Sequence, residues 1–261
     1  MEYQDVCYEV DGPNAIVTID RPERLNAFRG RTIGELLHAF KRAWADARVA
    51  CVIFTGAGER AFCAGGDQKE YAESGGYGTS ENGLWELEEL QQTIRNIPKP
   101  VIAAVNGVAI GGGHVLQVIC DVTIAAEHAR FGQAGPRVAS FDAGFGTAYL
   151  ARIVGEKRAR EIWFFCRQYD AETALAWGLV NKIVPSERLL EEAKAWGRDT
   201  AALSPTAIRF LKAAFNADSD HIAGQGKLAF AGLDAFAPSA ESEEGHRAFA
   251  EKRVPDFSRF R

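Results

Sequence analysis

Two glycine-rich turns carry the residues best suited to chemistry. Gly111-Gly112-Gly113 follows the apolar run that begins at Pro100 and precedes a second one, His114 to Cys120, while Ala61 to Gln68 (AFCAGGDQ) follows the strand-like Ala50 to Thr55 (ACVIFT). A strand that runs through glycines into a helix leaves backbone N–H groups unpaired at the helix start, with no Cβ to keep a ligand away. Such a turn suits an anion or a polarised carbonyl oxygen. The two segments repeat one plan, a β-branched apolar run ending in glycines with a polar residue close behind, so a donor from each turn could pinch one oxygen. The competing reading is that these are unrelated loops whose glycines only let a helix pack tightly on a strand. Asp142, between Phe141 and the glycines Gly144 and Gly146, is expected to be partly buried. A buried carboxylate needs a partner or a task, and a helix cap or structural acceptor is the plain alternative. Arg24 reads equally as surface or as a phosphate clamp.

The elements that must position these groups follow from periodicity. Val6 to Glu9 and Ala15 to Ile19 predict two strands joined by Asp11-Gly12-Pro13-Asn14, and Ile33, Leu36, Leu37, Phe40 and Trp44 mark a helix from about Thr32 to Asp46. Val101 to Val105 reads as a buried strand and His114 to Cys120 as a helix buried all round. Tyr71 to Gly83 (YAESGGYGTSENG), Gly/Ser-rich and unlikely to be ordered on its own, is a lid or a tolerated insertion, with Tyr77 at its middle. Helices are expected at Leu84 to Arg95, Thr147 to Ile153, Lys157 to Cys166, Ala171 to Gly178, Glu187 to Ala201, Pro205 to Asn216 and Gln225 to Phe236, and short strands at Val122 to Ala125 and Leu179 to Val184. The helical end piece suggests docking onto a neighbouring subunit or onto the site.

With 261 residues the chain suffices for one large core, and a net charge of −5 argues against a nucleic-acid surface. The five scattered cysteines read as reduced core residues and give no metal-ligand spacing. Met1 to Glu9 is polar and acidic, and the apolar runs are too short to span a bilayer, so a soluble cytoplasmic protein is expected.

RPERLNAF, AFCAGGDQ, AVNGVAIGGGHVL with CDVTIAA, and the FGQAGP to RIVG segment together resemble the crotonase (enoyl-CoA hydratase/isomerase) superfamily over essentially the full chain. That resemblance implies an α/β fold, a crotonase-type spiral of ββα units over residues 1–200, with a helical C-terminal region (201–261) that assembles trimers or a dimer of trimers. It implies a coenzyme A thioester as substrate, its carbonyl held in an oxyanion hole by the backbone N–H groups of Gly66 and Gly112. Arg24, Ala27, Ala64, Asp67, Gln68, Phe249 and Lys252 make up the implied coenzyme A contacts, with Phe249 and Lys252 often supplied by an adjacent subunit. The two glutamates of the family's hydratases fall on Val115 and Gly135, so water addition to an enoyl-CoA is not expected.

Within the superfamily, GGDQK, Gly75-Gly76-Tyr77, FGQAGPRVASFD and EKRVPDFSRF resemble the 1,4-dihydroxy-2-naphthoyl-CoA synthase subgroup, which closes a ring by intramolecular Claisen condensation of o-succinylbenzoyl-CoA. NAFRG and GAGERAFC are similar to the 2-ketocyclohexanecarboxyl-CoA hydrolases, which open a ring by the reverse chemistry. By this resemblance a bicarbonate held by Gln133 and Trp163 beside Gly135 serves as base, Asp142 and Ser140 face the reacting group, and Tyr77 comes from a mobile loop. Two positions depart from the subgroup: its C-terminal tyrosine falls on Ala237 and a threonine beside the bicarbonate on Ala134. A non-catalytic acyl-CoA or RNA binder is the reading from another class, and the acidic balance speaks against RNA.

Overall fold

The computed structural model describes residues 2–142 and 144–261; Met1 and Ala143 lie outside the described residues. The chain opens on a hairpin of β1 (Val6–Asp11) and β2 (Asn14–Ile19), paired antiparallel with Asp11 opposite Asn14, so the turn is Gly12-Pro13. Gly12 takes a positive φ of 55°, which a glycine adopts without strain. Helix α1 (Gly30–Ala45) follows, burying Ile33, Leu36, Leu37 and Phe40 along one face as the 3–4 spacing requires.

From β3 onward one unit repeats. β3 (Cys51–Gly56) and β4 (Ala61–Cys63) are followed by α2 (Gln68–Ser74) and α3 (Leu87–Asn96); β5 (Val101–Val105) and β6 (Val108–Ile110) by α4 (Gly112–Val118); β7 (Val122–Ala126) and β8 (Arg130–Gly132) by α5 (Ala148–Val154) and α6 (Glu156–Phe165). The first strand of each unit joins one sheet and the second joins another, which is the expected ββα spiral. After β9 (Gln168–Asp170), α7 (Ala171–Ala176) and β10 (Lys182–Val184), four helices complete the chain: α8 (Leu189–Ala201), α9 (Pro205–Ala217), α10 (Asp220–Phe236) and α11 (Ala240–Ala250). The six-stranded sheet runs β1-β2-β3-β5-β7-β10 and the four-stranded one β4-β6-β8-β9.

The core straddles the larger sheet. Phe54 stands between Phe40 of α1, 5.4 Å away, and Phe62 of β4, 5.0 Å away, both edge-on, so three rings join the helical layer to both sheets. On the opposite face Ile53, Ile102 and Ile124 pack against Leu189 and Ala193 of α8. Strands covered on both faces read as unbroken apolar runs, as β3 and β5 do. The C-terminal helices are tied on by buried cations. Lys212 Nζ reaches Asp121 Oδ2 at 2.7 Å and the carbonyl of Lys99 at 3.0 Å, while Arg95 donates to Ser219 and Asn216.

Three features depart from or go beyond the sequence expectations. The segment from Tyr71 is not a free loop: Tyr71 to Ser74 end α2, the Gly30 N–H donates to the Tyr77 carbonyl at 2.6 Å, and Ser80 is buried against Gly34. Strands β4, β6, β8 and β9, three residues each, carry too few positions for a periodicity to register. Helix α11 is additional, and it docks on its own chain: a methyl on Gly245 would lie 2.6 Å from Ala139 Cβ. Among the described residues no helix is long and apolar enough to cross a membrane.

Candidate active site

The two glycine turns leave the ends of neighbouring strands. β4 and β6 pair in parallel, so Ala64 to Asp67 and Gly111-Gly112 emerge side by side at their carboxyl ends. Contact is close: a methyl on Gly65, whose φ is +90°, would lie 3.2 Å from Gly112 N, and one on Gly113 would strike the Cys63 carbonyl at 2.0 Å. Tight packing and ligand access are therefore one arrangement rather than two rival explanations. The Phe28 N–H donates to the Gly65 carbonyl and the Asp67 N–H to the Phe28 carbonyl, both at 2.8 Å, which pins the turn on either side of Gly66. Gly112 is the first residue of α4 and has no acceptor within its own helix. Among the described residues neither the Gly66 nor the Gly112 N–H donates to a protein acceptor, and both residues line one cavity of about 1470 Å³.

Buried charge holds the first turn in place. Asp67 Oδ1 accepts the N–H groups of Lys69 and Glu70 at the start of α2, and its Oδ2 pairs with Arg21 at 2.9 Å. Arg21 also donates to the Ala27 carbonyl and faces Asp5, which binds Arg29 and Thr32. Burial raises the Asp5 pKa, but hydrogen bonds from Arg29 and Thr32 outweigh it and hold the carboxyl below its ordinary value. Asp67 is thus spent on structure rather than on a ligand. Arg24, Ala27, Asp67 and Lys252 all stay outside the cavity lining, whereas Ala64, Gln68 and Phe249 join it. Phe249 does so from its own chain.

The third parallel strand, β8, ends at Gly132, and the segment beyond it brings Gln133, Gly135, Ser140 and Asp142 to the same cavity, with Trp163 from α6 as a wall. Burial pushes the Asp142 carboxyl up to about 7, against the opposing pull of the Gly146 N–H. The three residues implied around a bicarbonate, Gln133, Gly135 and Trp163, all line this cavity. A Cβ on Gly135 would come within 2.7 Å of the Ser140 carbonyl and 3.2 Å of the Trp163 ring, so a side chain at this position would have to displace its neighbours. The Trp163 indole N–H is committed to the Gly146 carbonyl. Only Gln133, buried with its Oε1 unpartnered among the described residues, keeps a free polar atom.

Tyr77 lies between Trp85 and Tyr71, with ring centroids 5.4 and 5.0 Å away, and its ring covers Gly66. Burial pushes its hydroxyl up to about 12, so it serves as a donor and not as a base. Two histidines escaped the sequence reading. His114 is fully buried with Nδ1 3.0 Å from Gln133 Nε2, and burial lowers it to about 3, so it is neutral. His246 of α11 lines the cavity; its signal was Ser239, which caps α11 by accepting the Ser242 N–H. Cys63, beneath the first turn, is pushed up to about 12 by burial and is no nucleophile at neutral pH.

Solved structures share this fold along nearly their whole length. A carnitinyl-CoA hydratase from Mycobacterium avium superposes with a TM-score of 0.87 at 31% identity, covering 99% of this chain and 100% of that one. An enoyl-CoA hydratase from Mycobacterium avium subsp. paratuberculosis K-10 gives 0.86 at 28% identity, with 98% and 99% covered. An enoyl-CoA hydratase from Bacillus anthracis gives 0.74 at 31% identity, with 97% and 99% covered. The family model described as enoyl-CoA hydratase/isomerase matches residues 12–259. With paired glycine turns at the ends of adjacent strands and a family match over nearly all its length, the chain belongs to the enoyl-CoA hydratase/isomerase family and has the crotonase fold.

Proposed function

We propose that this protein binds an acyl-CoA thioester and stabilises its enolate for carbon–carbon bond chemistry, with ring closure of o-succinylbenzoyl-CoA by Claisen condensation as the reading of choice. The observation that carries it is the pairing of Gly66 and Gly112, from adjacent strands, with one carboxyl of raised pKa on the same cavity. Two N–H donors on a developing enolate oxygen each contribute about 2.7–4 kcal/mol of barrier lowering. Asp142, poised near neutrality, takes the proton from the carbon next to the thioester. The enolate carbon then attacks the substrate's own carboxylic acid carbon, and Asp142 returns the proton to the departing hydroxyl, which leaves as water. Ser140 and the Tyr77 hydroxyl supply further polar contacts, and no step is routed through bicarbonate.

The solved relatives are named hydratases, yet two features speak against that reaction here. Val115 is apolar, fully buried and outside the cavity lining, and Gly135 has no side chain, so neither position can supply an acid/base pair. The ring-opening hydrolase reading uses the same oxyanion hole, with Asp142 activating water. Incubation with o-succinylbenzoyl-CoA, with and without bicarbonate, and separately with 2-ketocyclohexanecarboxyl-CoA separates the cases. Naphthoyl-CoA formation supports the condensation, with a bicarbonate requirement assigning the base to bound bicarbonate and its lack assigning it to Asp142; pimeloyl-CoA supports ring opening, and binding without turnover refutes both. The exposed Phe210, Phe215 and Leu228 of α9 and α10 support the further proposal that residues 201–261 form a homotrimer contact, assembled singly or as a dimer of trimers, which sedimentation would check.

A further inference from the structure

Tyr77 is the outer end of a chain of three polar side chains that crosses from α2 to α11. The Gly66 carbonyl can only accept, so the Gln68 amide atom 3.4 Å from it is Nε2, and this same Nε2 lies 2.8 Å from Tyr77 Oη. Gln68 Oε1, an acceptor, then faces His246 Nδ1 at 2.9 Å, so Nδ1 carries the hydrogen. Every hydrogen points one way: His246 Nδ1–H into Gln68, and Gln68 Nε2–H into Tyr77 Oη. The Tyr77 hydroxyl hydrogen is left without an acceptor among the described residues, and a methyl on Gly66 would lie 3.0 Å from that oxygen. His246 is fixed by stacking on Tyr71, with centroids 3.8 Å apart and planes at 16°. Burial also lowers its pKa, which favours the neutral ring that the chain requires.

We propose that His246 is a positioning residue: through Gln68 it turns the Tyr77 hydroxyl so that its hydrogen is donated to an oxygen of the acyl thioester seated at Gly66. The proposal rests on the thioester reading of the site. Trp85 and Tyr71 already wedge the Tyr77 ring, so His246 sets the direction of one hydrogen rather than the place of the ring. Directed chains of this kind strengthen the terminal donor.

Two measurements test it. Long-range proton–nitrogen correlation spectra of the free protein read the His246 tautomer, with the signal assigned by its loss in His246→Asn. The Nδ1–H form is expected in the parent and the Nε2–H form in Gln68→Leu; a parent ring in the Nε2–H form overturns the proposal. Acetoacetyl-CoA then serves as probe, its enolate absorption reporting the bound enolate fraction. His246→Phe keeps the stack on Tyr71 but has no donor, and is expected to lower that fraction about three- to tenfold. His246→Asn, whose amide replaces Nδ1–H, is expected to hold it, and in a Tyr77→Phe background His246→Phe should have no further effect. Equal losses with and without Tyr77, or no loss, overturn the proposal. Failure of the parent to bind acetoacetyl-CoA refutes the thioester site instead, and the tautomer still decides whether the chain exists.

Discussion

The two sheets divide stability from chemistry. In the six-stranded sheet, β3 and β5 are buried throughout and none of its strand residues reaches the cavity. In the four-stranded sheet every strand has three residues, and the parallel trio β4, β6 and β8 delivers Gly66, Gly112 and Gln133 to one cavity from consecutive strand ends. A strand buried on both faces can only be apolar, whereas a strand three residues long is mostly ends, and strand ends are where backbone donors become available to a ligand. The long sheet holds the short one in register through Phe54 and Phe62.

The largest effect expected from breaking this division is at Asp142. Asp142→Asn should lower turnover by about 10²–10⁴-fold, read in steady-state kinetics. Because Asp142 acts from its ionised form, parent activity should rise with pH through about 7. Stability runs the other way. The folded carboxyl holds its proton up to about 7 while an unfolded one releases it near 3.8, so this group's contribution is lost as pH rises between those values. Asp142→Asn should therefore melt above the parent at pH 8, with the gap narrowing at pH 5. Next comes Phe54→Ala in the long sheet, expected to cost about 3–5 kcal/mol in denaturant unfolding because the cavity it leaves joins three layers. Gly65→Ala tests the seam between the turns. Its φ of +90° and the 3.2 Å approach to Gly112 N predict a cost of roughly 1–2 kcal/mol, with turnover falling further than stability as the turns part. The smallest effect belongs to Lys41→Ala, which breaks an exposed pair with Glu89 and should change stability by no more than about 1 kcal/mol and activity not at all.

The same division explains what the sequence made legible. Val101 to Val105 and the α1 face were readable because burial imposes a pattern on every residue, and the repeat of a β-branched run ending in glycines did mark two copies of one unit. The four short strands left no pattern. The two glycine turns are legible in the sequence and the family resemblance points to Gly66 and Gly112 within them, whereas Asp67, implied as a coenzyme A contact, is paired with Arg21 46 residues earlier. Trp163 carries no sign in the sequence that its N–H is taken by Gly146. The Gly/Ser-rich stretch around Tyr77 has little in its own sequence to order it, and its order comes from contacts with α1 and α11 that only the fold supplies.

The central claim is that two main-chain amides share one thioester oxygen. A crystal structure with a non-hydrolysable acyl-CoA analogue tests it most directly. That oxygen should lie about 2.7–3.1 Å from both Gly66 N and Gly112 N. An oxygen held by a side chain instead, with either amide turned away from it, would contradict the account.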